Sequence, residues 1–236
     1  MSGALKLESP EALPSGLREA LKQHHDRFLA NAFVEQVLEH PDVRAIGQEL
    51  EAFLATQPIH AYHCTKEPEP GYFKANGLRL TEVAVHQGWF LERFGTMFTE
   101  TQRQWLQSAW HQYFVEHGQA KLRNGLLWAC LSRSLVSDDG CEPFFRYFGG
   151  EAISMVADAH PEVAAILETI GRPVVVEIAV LGGQLKASYP MSYAVLSNYH
   201  RELRADARPF ESEARWPHPV PPSDVLAVTP LELFTH

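Results

Sequence analysis

The chain has 236 residues, 29 of them acidic and 20 basic, for a net charge of −9 without a Lys/Arg cluster. That excludes a protein that tracks extended nucleic acid, because binding along phosphates needs several cations on one face. No apolar run approaches the ~20 residues of a membrane span, no signal peptide is visible at the start, and the three cysteines, Cys64, Cys130 and Cys141, lack CxxC spacing, so a cytoplasmic, reducing location is expected.

The first 55 or so residues predict helix. Leu17, Leu21 and Phe28 fall on one face, with Phe33 and Val37 continuing it. After His40-Pro41, the residues Val43, Ile46, Leu50, Phe53 and Leu54 recur at three- and four-residue steps, the pattern of an amphipathic helix. Residues 59–65, rich in β-formers, read as a strand, residues 66–70 as a polar turn, and residues 71–76 as a short helix stopped by Asn76-Gly77. Residues 81–118 predict two helices divided near Gly95. Residues 125–133 read as a buried strand, 160–170 as a helix capped by Gly171, and 173–180 (PVVVEIAV) as the strongest strand of the chain. Residues 192–205 read as a helix, and Arg201, Arg204 and Arg208 as a solvated helix face in preference to a local basic spot. A Pro-rich connector over 216–222 leads to a last strand at 224–228. Helices first and strands later predict a single α+β domain, in which residues 1–57 form a helical N-terminal layer and 58–236 a core on a split mixed or antiparallel sheet.

Four groupings bear on chemistry. In Tyr62-His63-Cys64-Thr65, period-two alternation puts His63 and Thr65 on one face, able to offer a donor and an acceptor to a polar ligand. In Tyr147-Phe148-Gly149-Gly150-Glu151, two glycines let backbone approach a ligand and aim the acid; a turn before a helix whose first residue is Glu151 is the competing reading. Arg133 and Arg146 flank that segment and could hold phosphates. Glu177 interrupts an apolar strand, where a carboxylate must be paired, face water or do work. His60, His63 and Cys64 supply metal-ligand types, but alternation sends His60 and His63 to opposite faces.

The Tyr62-His63-Cys64-Thr65 strand, followed by a short helix and Gly77-Leu78, resembles the first-strand signature of ADP-ribosyltransferases of the diphtheria-toxin and poly(ADP-ribose) polymerase type, with Cys64 where that family carries glycine or serine. The resemblance implies NAD as the substrate, with His63 holding the nicotinamide ribose beside Thr65. It implies a tyrosine, Tyr72 or Tyr147, against nicotinamide, and a glutamate, Glu151 first and Glu177 second, facing the oxocarbenium-like transition state. Arg133 would join the NAD-binding set. Residues 127–153 also resemble a stretch of some bacterial phage-defence proteins, so a toxin or defence effector acting on a macromolecular acceptor is the implied setting. Two further readings stay open: an inactive nucleotide- or protein-binding module of the same fold, and a metal-dependent hydrolase using His60 and His63.

Overall fold

The structure, a computed structural model, describes residues 3–231. It opens with α1 (Ser15–Lys22), α2 (His25–Ala30), α3 (Val34–Leu38) and α4 (Pro41–Ala55). The first predicted helix is therefore three short ones. The reason is tertiary: the carbonyl of Asn31 accepts hydrogen bonds from His200 Nε2 and Arg204 Nη1, and that of Ala32 accepts the Arg208 amide. Carbonyls claimed from outside cannot continue an i→i−4 ladder. The same contacts give Arg204 a structural task in place of a purely solvated one. Pro41 opens α4 at its first turn, where the missing N–H costs nothing, and Val43, Leu50 and Leu54 are fully buried.

The strand β1 (Pro58–Glu67) follows, then α5 (Tyr72–Asn76), α6 (Val83–Phe94) and α7 (Glu100–Trp110). A reciprocal capping box between Thr99 and Gln102 starts α7, and a π-helical turn, His111–Glu116, extends it. Next come β2 (Leu127–Cys130), α8 (Glu142–Arg146), α9 (Glu151–Ser154), α10 (Pro161–Thr169) and β3 (Arg172–Leu181). The chain continues through β4 (Lys186–Ala187), α11 (Met191–Leu203), β5 (Glu213–Trp216) and β6 (Val225–Pro230). The short strands β4 and β5 were not expected from sequence; in β5 only the alternation of buried Ala214 and Trp216 with exposed Glu213 and Arg215 marks a strand.

The fold is α+β. The described strands form one six-stranded sheet in the order β4-β5-β2-β1-β3-β6. β1 and β2 run antiparallel with Tyr62 opposite Cys130, and β4 and β5 antiparallel with Lys186 opposite Arg215. No helix among the described residues is long and apolar enough to cross a membrane.

The described residues group into two compact units whose segments interleave in sequence and do not follow a break at residue 57. One takes the chain up to Tyr62, Trp128–Val136 and Ile178–Trp216. In it α4 packs on α11, Phe28 meets Tyr199 edge-on at 5.4 Å, and the His25 Nε2 lies 2.6 Å from the Tyr199 hydroxyl. The other takes His63–Leu127, Ser137–Glu177 and the chain from Pro217 onward. Its core is aromatic: Phe90, Phe98, Trp110, Phe114 and Phe148 pack with Leu106, Ile153 and Leu167, and the Trp110 indole N–H is satisfied by the Ile153 carbonyl at 3.0 Å.

Candidate functional site

β1 is buried along its length except at Pro58, His63 and Thr65. His63 and Thr65 thus share one face and are the two positions where the middle of the strand opens. Side chains at even positions point the other way. There His60 stacks on Tyr62 at 4.9 Å, the Tyr62 hydroxyl donates to Glu8 at 2.7 Å, and the Arg133 guanidinium lies 5.9 Å from the Tyr62 ring. Arg133 is therefore grouped with His60 and Tyr62. Neither His60 nor His63 belongs to a convergent trio of metal-ligand atoms among the described residues.

The expected turn at 66–70 begins two residues late, because Lys66 and Glu67 complete β1 as buried side chains. Glu67 has no exposed side-chain surface and accepts from Arg172 Nη2 at 2.7 Å and Nε at 3.0 Å, and from the Phe73 amide at 3.4 Å. Lys66 Nζ donates to the carbonyls of Glu168 at 2.6 Å and Arg146 at 3.2 Å. Burial pushes the Lys66 ammonium down to about 8, against a weaker opposing pull from the Glu168 carboxylate. This ionic cluster ties β1 to α5, α8, α10 and β3, and reading Lys66-Glu67-Pro68 as turn chemistry hid it.

α5 carries Tyr72 in its first turn. The Tyr72 ring is half-buried, edge-on to Phe73 at 5.4 Å and 6.4 Å from Trp89. Gly77 ends the helix at φ 69° against the backbone of Val220, where a Cβ would collide with the Val220 carbonyl. The amides of Leu78 and Val220 then exchange hydrogen bonds with each other's carbonyls at 2.9 and 2.8 Å.

The second candidate segment is more enclosed. Tyr147 is buried, its hydroxyl donates to Asp158 at 3.2 Å, and Arg146 lies 5.0 Å from its ring. Burial pushes the Tyr147 phenol up, partly opposed by the Arg146 charge. Of the two tyrosines, Tyr72 has the more accessible ring. His86 stacks on Trp89 at 5.6 Å, and burial lowers its pKa, partly opposed by a hydrogen bond to the Gly149 backbone. Gly149 and Gly150 both have positive φ, and a side chain at Gly149 would strike Ile153.

Glu151 is the first residue of α9, with its carboxylate 3.1 Å from Arg123 Nε. That arginine is largely buried, lies 5.6 Å from the Tyr113 ring and 5.9 Å from the Phe114 ring, and donates to the Gln119 carbonyl and side chain at 3.1 and 3.2 Å. The carboxylate singled out first in the sequence is thus charge-compensated by a fixed cation. Nothing in sequence marked Arg123, 28 positions upstream, as its partner.

Glu177 occupies a different setting. It is half-exposed in β3, between runs of buried Val174, Val175, Val176 and buried Ile178, and its Oε1 accepts from the Thr229 hydroxyl at 3.4 Å. β3 is the neighbour of β1 in the sheet. In two adjacent strands that are otherwise buried at mid-length, the half-exposed polar residues are His63, Thr65 and Glu177. No family model, curated protein or solved structure matches this chain.

Proposed function

We propose that this chain consumes NAD, cleaving the bond between nicotinamide and ribose and passing ADP-ribose to water or to a macromolecular acceptor. The observation that carries the reading is the placement of His63 and Thr65 at the open mid-strand positions of β1, with Glu177 at an open position of neighbouring β3 and Tyr72 presented just after the strand. Breaking a glycosidic C–N bond leaves positive charge on the ribose, and a carboxylate facing that charge lowers the barrier. Nicotinamide leaves with the bonding pair as a neutral ring. A nucleophile, water or an acceptor group, then bonds to the anomeric carbon and gives up its proton. His63 and Thr65 supply the donor and acceptor that hold ribose hydroxyls, and Tyr72 supplies an aromatic face for the leaving ring. In this reading Glu177 is the stabilising acid, because it lies on the strand beside the one that carries His63 and Thr65, and Glu151 is held against Arg123. A toxin or defence effector is the setting in which NAD loss or acceptor modification would act.

The test is nicotinamide release from NAD by the purified chain beside His63→Ala, Glu177→Gln and Glu151→Gln. Loss of one charge-stabilising group costs on the order of 100-fold or more in rate, and that loss is expected for His63→Ala and Glu177→Gln, with a smaller one for Glu151→Gln. Collapse in Glu151→Gln alone, with the fold intact, would move the acid to Glu151. Neither release nor calorimetric NAD binding in the wild type would sink the reading. Binding without release would leave the inactive module.

A further inference from the structure

The N-terminal helices form an open cleft that the NAD reading does not use. It has a volume of about 390 Å³ and is lined by residues between Gln23 and His40, all within one compact unit. That volume is in the range of small-molecule sites.

The lining is rich in donors that the protein itself does not engage. The Arg27 guanidinium faces the cleft without an ion pair or hydrogen bond among the described residues; the bonds of Arg27 are made by its backbone, the amide donating to the His24 carbonyl and the carbonyl accepting from the Asn31 side-chain amide. His24 caps α2 without a side-chain hydrogen bond. His40 presents a buried Nδ1 that has no hydrogen-bond partner. Buried polar atoms are ordinarily satisfied, so one left open beside a cleft calls for a ligand or solvent. Several nearby backbone carbonyls are already engaged. The Leu38 and Glu39 carbonyls accept from Arg44, those of Leu29 and Asn31 from Arg204, and that of Phe28 from His200. The lining holds a single carboxylate, Asp26, and it is exposed.

A concave site with uncommitted donors, one of them a guanidinium, and a single carboxylate at its edge matches an oxyanion. We propose that this cleft binds the carboxylate or phosphate group of a small molecule, with Arg27 gripping two oxygens and the imidazoles of His24 and His40 completing the shell. Paired parallel N–H···O bonds to arginine are the geometry both groups share. Asp26 at the edge disfavours a second negative charge, so a carboxylate is the preferred occupant.

The experiment is a nuclear magnetic resonance titration of the full chain with acetate and, separately, with inorganic phosphate, following Arg27 Nε and the rings of His24 and His40. Saturating shifts at these groups are expected, tighter for acetate, and weakened about tenfold or more in Arg27→Gln, since charge-assisted pairs carry most of the affinity for so small a ligand. Tighter saturation by phosphate would assign the site to phosphate esters within the same oxyanion chemistry. Thermal unfolding of Arg27→Gln checks its fold, and His24→Gln, expected to weaken binding a few-fold, serves if that variant is unstable. Shifts that grow without saturating in both arms, or saturate equally in the variants, would overturn the proposal.

Discussion

β1 and β3 are neighbouring ten-residue strands with almost the same burial profile and opposite chemistry. β3 is buried because it is aliphatic: Val174, Val175, Val176 and Ile178 have no exposed surface, and leaving water is favourable for each. β1 is buried in spite of carrying His60, Tyr62, Lys66 and Glu67, all of them under a tenth exposed. Groups of that kind are tolerated inside only with partners in place, and several are held by the specific bonds described above. The comparison teaches that one strand is stabilised by composition and the other by contacts that the rest of the fold must deliver. A strand of the second kind is where single substitutions are expected to change most.

The largest effect on stability is expected at the ion pair that closes β1. Arg172→Ala leaves the Glu67 carboxylate buried without its cation, at a cost of about 3 kcal/mol, read by chemical denaturation. In β3, Val176→Ala removes two buried methyl groups and leaves a small cavity, for about 2 kcal/mol. If the aliphatic change proved the costlier, the contrast between the strands would break. Tyr62→Phe deletes the bond to Glu8, whose other carboxylate oxygen is already buried without a partner, and should cost about 1.5 kcal/mol.

The last expected effect is a pH dependence. Lys66 is held near 8 in the folded protein, below its usual 10.5, so between those values the unfolded chain binds more protons than the folded one. Stability should therefore rise, relative to Lys66→Met, as pH climbs from 8 towards 10.5. A flat difference across that window would show that the two carbonyls, and not desolvation, dominate the ammonium.

Much of the helix and strand order was legible in the sequence because it rests on local signals. Pro41 and the spacing of Val43, Leu50 and Leu54 marked α4; Gly77 ended α5; the valine run marked β3. The break between α2 and α3 was not legible, since it is made by side chains about 170 residues away. Nor was the strand character of Lys66 and Glu67, whose local composition favours a turn and whose partners, Arg172 and the carbonyls of Arg146 and Glu168, are distant in sequence.

For the candidate site the division is the same. Sequence alone placed His63 and Thr65 on one face of a strand, because alternation is a property of extended backbone and needs no knowledge of neighbours. It also named Glu151 and Glu177 as the carboxylates to weigh. Only the tertiary structure separated their circumstances, pairing Glu151 with the buried Arg123 and seating Glu177 in the strand beside β1. The physical reason is range: backbone periodicity acts over a few residues and is written in them, whereas the charge a carboxylate faces depends on which cation the fold brings to it.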